Sequence, residues 1–130
     1  MVERVKDKTG KSYENLTQAI FQSILAQTEL RNVDVKRDVV LKGKETSHQI
    51  DIYWKFEIGE VQYETIVQAK DWGKRVDQGA LLQFKSVLND LPGQPKGIFV
   101  TRTGYQKSAK KYALARGILL YELKEADGLA

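Results

Sequence analysis

Three side chains that could act together on a charged ligand, Asp51, Gln68 and Lys70, lie on two neighbouring segments of the chain. Residues 48–58 and 61–70 both alternate between apolar and polar types, which is the pattern of half-buried β-strands. Carboxylate and amide oxygens are donors that a hard divalent cation accepts. A lysine ammonium beside them could contact an anionic group.

The turn between these segments predicts which residues face each other. Gly59 stands at the first central position of a two-residue turn, which favours a β-hairpin. In that register Asp51 lies opposite Gln68. Gln49 lies opposite Lys70, and Lys70 is also diagonal to Asp51, within reach of a long side chain. A carboxylate, an amide and an ammonium group should therefore converge on one face of the hairpin.

The alternation also predicts that this face is polar and that the other face is apolar. The apolar set is Ile50, Ile52, Trp54, Phe56, Ile58, Val61, Tyr63, Thr65, Val67 and Ala69. Tyr53 is predicted to lie on the polar side. The competing interpretation of Asp51 and Lys70 is a cross-strand ion pair on a solvated sheet face, worth about 0.2–1 kcal/mol. Gln68 could likewise be an ordinary exposed amide.

The elements around the hairpin predict an α/β protein in which helices flank a mixed sheet, in the order α-β-β-β-α-β-α-β. Helices are predicted at 12–30, 76–91 and 106–116, and the other strands at 33–41, 96–101 and 118–122. The first helix should bury the stripe Tyr13, Leu16, Ile20, Phe21, Ile24 and Leu25. The final strand, helix and strand predict a parallel pair joined by a right-handed crossover. One domain is expected over 1–130, with an N-terminal arm at 1–11 and a tail at 124–130.

The composition agrees with an α/β protein and favours one kind of binding partner. The chain has 130 residues, 42% of them hydrophobic, and a net charge of +4, which favours a polyanionic partner. Without cysteine it can form no disulfide, thiolate metal site or thiol nucleophile. No stretch approaches the roughly 18 apolar residues of a membrane helix, and no signal peptide is recognisable, so a cytoplasmic location is expected. The single histidine, His48, is interpreted as a surface or capping residue.

The motifs Gln49-Ile50-Asp51 and Gln68-Ala69-Lys70 resemble the PD-(D/E)XK nuclease superfamily, and within it the Mrr-like restriction endonuclease branch. The similarity continues through 96–101, Gly104-Tyr105, Ala109, Tyr112-Ala113 and 117–120, so that it covers about residues 13–123. It implies a restriction-endonuclease-like sheet and a metal-dependent DNA endonuclease. Mg²⁺ is the implied cofactor, and Mn²⁺ should substitute for it.

The resemblance also implies roles for individual residues. Asp51 would be the anchoring metal ligand, the carbonyl of Ala69 would face the metal, and Lys70 would contact the attacking water or the phosphate. Gln68 stands where other branches have glutamate, and its amide brings no charge. Glu14 near the start of the first helix would supply a second carboxylate. The alternative for Glu14 is a solvated acid that favours the helix dipole.

DNA contacts are expected from two basic segments. Lys74 and Arg75 directly follow the strand that bears Lys70, and the third helix carries Lys107, Lys110 and Lys111. Such charges can bind phosphates without reading sequence, and a lysine-rich helix can also be only a solvated face. Two cuts on a duplex need two sites, so a homodimer is expected. The rival functions are a non-catalytic nucleic-acid-binding relative and a structural or regulatory domain that binds no nucleic acid.

Overall fold

The predicted order of helices and strands is confirmed by a computed structural model, which describes residues 11–28 and 33–124. The elements are α1 (Lys11–Ala26), β1 (Lys36–Lys42), β2 (Ser47–Ile58), β3 (Val61–Lys70), α2 (Gln78–Asp90), β4 (Lys96–Thr101), α3 (Lys107–Arg116) and β5 (Leu119–Glu122). The predicted arm and tail lie outside the described residues, except for Lys11, which belongs to α1, and Lys124. No helix in the described part is long and apolar enough to cross a bilayer.

The five strands form one mixed sheet in the order β1-β2-β3-β4-β5. β1, β2 and β3 are joined by tight turns and pair antiparallel. β4 pairs parallel with β3, and β5 with β4, because α2 and α3 each return the chain to the end of the sheet at which the preceding strand began. The predicted parallel pair is therefore confirmed.

Helices cover both faces of the sheet, so there are two hydrophobic clusters. The cluster under α1 contains Tyr13, Phe21, Val33, Val35, Ile52, Trp54, Val67, Ala69, Ile98 and Val100. The cluster under α2 and α3 contains Ile50, Tyr53, Ile66, Val76, Leu81, Phe84, Leu88, Leu91, Phe99, Tyr105, Ala109, Ala113 and Ile118. Strands that are buried on both faces do not keep a polar side, which local alternation could not reveal.

The prediction of one apolar and one polar hairpin face is wrong. Ile50 and Tyr53 pack under α2, whereas Ile52 and Trp54 pack under α1, so the alternation of side chains breaks at Asp51. The hydroxyl of Tyr53, a residue predicted to lie on the polar face, donates a hydrogen bond to Glu64 at 2.5 Å.

The break at Asp51 has a tertiary cause, because the outer part of the β1–β2 hairpin packs against α2. Val39 and Leu41 join Ile50 there. Asp90 at the end of α2 holds the hairpin turn, accepting backbone N–H bonds from Glu45 and Thr46 at 2.9 and 3.3 Å. Its Oδ2 also lies 2.7 Å from Nε2 of His48, so this histidine contacts the carboxylate that holds the turn.

The boundaries of α1 and α2 differ from the predicted ones. α1 ends at Ala26, not residue 30, and Ile20 and Ile24 of the predicted stripe are 36% and 49% exposed. α2 begins at Gln78 because the Asp77 carboxylate accepts the N–H of Ala80 at 3.0 Å. The last turn of α1 carries no basic residue that would favour the helix dipole at its C-terminal end. The last two residues of the predicted helix, 29 and 30, lie outside the described part of the chain.

Gly97 allows α2 to approach β4 closely. A Cβ at this position would lie 2.6 Å from Cδ1 of Leu88 and 3.0 Å from Cε2 of Phe84. We expect Gly97→Ala to lower the free energy of unfolding by about 1–3 kcal/mol, because overpacking forces neighbouring side chains to shift. Urea unfolding measures the change. Gly73→Ala, where a Cβ meets nothing within 4 Å, is the matched control, and equal midpoints for the two variants would refute the close packing.

Candidate active site

Asp51 lies where the pairing of β2 with both neighbouring strands is interrupted. The β1–β2 pairing passes from Val39–Ile50 to Arg37–Ile52, and the β2–β3 ladder ends at Ile52–Val67. Beyond that point Oδ2 of Asp51 accepts the backbone N–H of Ala69 at 2.9 Å. The carboxylate therefore lies between the two strands, near the plane of the sheet, and Asp51 and Ala69 are in direct contact.

The predicted hairpin register is correct, but the two predicted site pairs are not part of the ladder. The pairing runs from Ile52–Val67 to Ile58–Val61 in the expected register. Asp51 does not pair with Gln68, nor Gln49 with Lys70, because β2 bends toward α2 at Asp51 and its carboxylate takes the N–H of Ala69.

The side chains of Gln49, Gln68 and Lys70 nevertheless line one cavity of about 250 Å³ on the α2 side of the sheet. Trp72 also lines this cavity and packs on the α2 cluster at the edge of the core. The backbone at Lys70 is fixed by Thr101, whose hydroxyl donates to the Lys70 carbonyl at 2.9 Å. Gln83 of α2 also lines the cavity, and a cavity with three amides and one ammonium group can accommodate an anionic group.

Electrostatics connect Asp51 with Lys70. Burial raises the pKa of Asp51, while the Ala69 N–H and the Lys70 charge oppose that rise. The charge of Lys70 therefore favours the ionised form of the Asp51 carboxylate. The structure brings Asp51 and Ala69 into contact, and Lys70 is the next residue of β3.

Glu14 approaches Asp51 from the α1 side. Its side chain lies at the edge of the buried stripe of α1 and is only 9% exposed, so it is not a solvated first-turn acid. Burial, the charge of Asp51 and a hydrogen bond to Asp38 raise the pKa of Glu14 to about 7. A carboxyl group whose pKa is raised by burial and by neighbouring carboxylates is typical of functional sites.

Sequence reasoning missed Asp38. It faces Asp51 across the β1–β2 pairing and has a φ of 56° in the left-handed region, where only Gly, Asn and Asp are readily accommodated. Its carboxylate is 2.6 Å from Nζ of Lys11. A signal was available, because aspartate is depleted in strand interiors and needs a reason to be there.

The residues fit a hard divalent cation in their chemistry, although they do not yet enclose one. Within residues 11–28 and 33–124, no three His, Cys, Asp or Glu side chains are gathered tightly enough to hold an ion. The donors are all oxygens, the type that Mg²⁺ prefers. Oε1 of Glu14 is buried and has no hydrogen-bond partner among the described residues, which is unusual for a carboxylate oxygen and leaves it available as a ligand.

The predicted DNA-contacting residues lie beside this site or on α3. Lys74 and Arg75 are exposed in the loop that follows Lys70, and Thr103 donates to the Lys74 carbonyl at 2.6 Å. Val76 then bridges to Tyr105, just before α3. Three exposed lysines follow on α3, namely Lys107, Lys110 and Lys111. The loop and the start of α3 therefore present basic side chains near the end of β3 that bears Lys70.

The sequence also matches a known protein family. Residues 5–128 match the Mrr_cat family, described as a restriction endonuclease. The chain belongs to this family. No curated protein matches it.

Solved structures share the fold of this Mrr_cat chain. Can2 from Sulfobacillus thermosulfidooxidans, in complex with cyclic tetra-adenylate, aligns with a TM-score of 0.67 and 16% identity over 85% of this chain and 32% of its own. A repair endonuclease from Pyrococcus abyssi aligns with a TM-score of 0.64 and 17% identity over 96% of this chain and 50% of its own. The MspJI restriction endonuclease, in complex with a 27-mer oligonucleotide, aligns with a TM-score of 0.58 and 16% identity over 88% of this chain and 26% of its own. The chain thus spans half or less of the length of each of these proteins.

Proposed function

We propose that this Mrr_cat domain is a metal-dependent DNA endonuclease that hydrolyses phosphodiester bonds. The observation that carries the proposal is the contact of Asp51 with Ala69 next to Lys70, at the point where β2 and β3 separate. The family and the fold it shares with a repair endonuclease and a restriction endonuclease support it. Cleavage of both strands of a duplex needs two such sites, so the proposal includes a homodimer.

Each site residue has a role in this proposal. Asp51, the Ala69 carbonyl and Glu14 would hold Mg²⁺, which Mn²⁺ could replace. The bound ion would lower the pKa of a water and stabilise charge on the phosphate and the leaving oxygen. Lys70 contacts the scissile phosphate or the attacking water. Gln68, in the same cavity as Lys70, donates its amide N–H to a phosphate oxygen or accepts from water.

A cleavage assay tests this function. Supercoiled plasmid and single-stranded DNA are incubated with the purified protein in Mg²⁺, in Mn²⁺ and in EDTA. We expect nicked and linear products only with a divalent ion, because charge on the phosphate must be neutralised during hydrolysis. DNA that stays intact under every metal condition contradicts the proposal.

Gln68 favours one alternative, a relative that binds DNA but does not cut it. An amide in place of a carboxylate removes one negative charge from the site, and the ion would be held less tightly. Electrophoretic shifts with the same DNA, without nicking in Mg²⁺ or Mn²⁺, would support this alternative. If the protein neither binds nor nicks DNA, the remaining alternative is a structural or regulatory domain.

Lys74 and Arg75 give a prediction about DNA binding that is independent of cleavage. We expect Lys74→Ala/Arg75→Ala to weaken binding to every DNA sequence and to lower the slope of log K against log salt by about 0.9 for each phosphate that is no longer neutralised. Fluorescence anisotropy at several salt concentrations measures both. Lys55→Ala/Lys85→Ala removes the same charge from β2 and from the second half of α2. If the control pair changes the slope as much, the loop after β3 is not a preferred contact.

A further inference from the structure

Asp38 is placed by the backbone against the candidate metal site, although it belongs to neither of the motifs that resemble the nuclease superfamily. It occupies the β1 position between Arg37 and Val39, whose partners Ile52 and Ile50 flank Asp51 on β2. Its left-handed backbone, with φ of 56°, interrupts the regular strand there. The pairing therefore sets the two aspartates beside each other.

Contacts connect Asp38 with Glu14 as well. Asp38 raises the pKa of both Glu14 and Asp51, so its carboxylate is electrostatically coupled to each of them. Glu14 is nine-tenths buried, yet its Oε1 has no hydrogen-bond partner in the described chain. A buried carboxylate oxygen without a donor, among two other carboxylates, is an arrangement that a bound cation would satisfy.

Positive charge at this cluster comes from nearby lysines. Nζ of Lys11 lies 2.6 Å from Oδ2 of Asp38, and the charge of Lys11 acts on Glu14 and Asp51 too. The charge of Lys70, at the end of β3, lowers the pKa of Asp51. The Lys11 side chain is 46% exposed, so it can leave Asp38 without disturbing the core.

We propose that Asp38 is a further carboxylate of the metal site, which supplies the negative charge that Gln68 lacks, and that Lys11 is its counter-ion until a divalent cation binds. This inference rests on the proposed function, because it assumes that Asp51 anchors a metal. Its physical basis is the exchange of one monovalent ammonium group for a divalent ion at a cluster of three carboxyl groups. Asp38 lies on the side of Asp51 away from Gln68, on β1.

The test measures binding of Mn²⁺ itself to the full chain by titration calorimetry, without DNA. We expect Asp38→Asn to raise the dissociation constant about 10-fold or more, since even residues that only support metal ligands are worth about 10–100-fold. Asparagine also accepts the left-handed conformation, so the fold should be kept. Asp38→Gly, which suits the same backbone, is the second variant if the first is unstable. Asp34→Asn, at an exposed position just before β1, is the matched control.

Lys11→Met should act in the opposite direction. Without the competing ammonium group, Mn²⁺ should bind several-fold more tightly, and the advantage should shrink as salt is added. Lys36→Met, which removes an exposed lysine at the start of β1, is the control and should leave the affinity unchanged.

The outcomes separate this inference from the proposed function. Weaker Mn²⁺ binding in Asp38→Asn together with tighter binding in Lys11→Met supports it. Wild-type affinity in both Asp38 variants overturns the role of Asp38, while the endonuclease proposal stands if Asp51→Asn still abolishes Mn²⁺ binding. Unchanged affinity in Lys11→Met overturns the role of Lys11. Absence of Mn²⁺ binding in the wild-type chain overturns the metal site of the proposed function itself.

Discussion

Asp51→Asn and Lys70→Ala are each expected to lower the rate of metal-dependent DNA cleavage by about 10²–10³-fold, the effect of removing one preorganised electrostatic contact from a reacting centre. Asp51→Asn keeps an oxygen that can accept the N–H of Ala69, so the bond that holds β2 and β3 at the site is retained while the charge is removed. Lys70→Ala removes the ammonium group but not the carbonyl that Thr101 contacts. Single-turnover cleavage of labelled DNA at saturating protein measures both rates.

Two controls make this result specific to the site. Thermal unfolding should show that both variants remain folded, because neither substitution removes a buried apolar side chain. Asp34→Asn and Lys85→Ala carry the same changes of charge elsewhere and should cleave like the wild type. Cleavage by Asp51→Asn at the wild-type rate would mean that the nuclease activity resides elsewhere or comes from a contaminant.

Glu14→Gln is expected to change how stability depends on pH. The pKa of Glu14 in the folded protein is raised to about 7 from an ordinary value of 4.5, first by burial and then by Asp51 and Asp38. Between these values the folded state binds more protons than the unfolded state, so the free energy of unfolding of the wild type falls as pH rises and levels off above the folded pKa. The loss is about 1–3 kcal/mol, where the lower figure allows for solvent screening.

Urea unfolding in EDTA at pH 5 and pH 8 measures this effect. Glu14→Gln has no carboxyl group to ionise, so its stability should fall less over this range and should exceed that of the wild type at pH 8. Glu57→Gln, at an exposed position on β2, is the control and should follow the wild type. If the free energy of unfolding changes equally with pH in the wild type and in Glu14→Gln, Glu14 is solvated. Added Mg²⁺ should reduce the difference, because a cation stabilises the ionised form.

Local sequence rules were sufficient for the elements and for their order. Alternation marked both strands of the hairpin, and the glycine-first turn at Gly59 gave the correct register from Ile52 to Ile58. α2 ends at Asp90, just before the prolines at 92 and 95, and α3 ends at Arg116, just before Gly117 in the left-handed conformation. These features are predictable because they depend on interactions between residues that are close in the chain.

The side to which each strand residue points was not predictable at the site. Strict alternation placed Ile50 with Ile52, but Ile50 packs under α2 because the outer hairpin bends onto that helix and is held there by Asp90. This contact joins residues far apart in sequence. The strand pattern alone contains no information about it.

The sequence by itself determined the family, the order of the elements and the contact of Asp51 with Ala69. That contact was predictable because one hairpin with a fixed turn carries both residues. Only the tertiary structure decided that Glu14 is buried beside Asp51 and that Asp38 joins them. Those carboxyl groups lie on a helix and on a strand whose positions are set by packing on the two faces of the sheet. Like charges are brought together only where many buried contacts elsewhere offset their repulsion, so their arrangement cannot be read from local spacing.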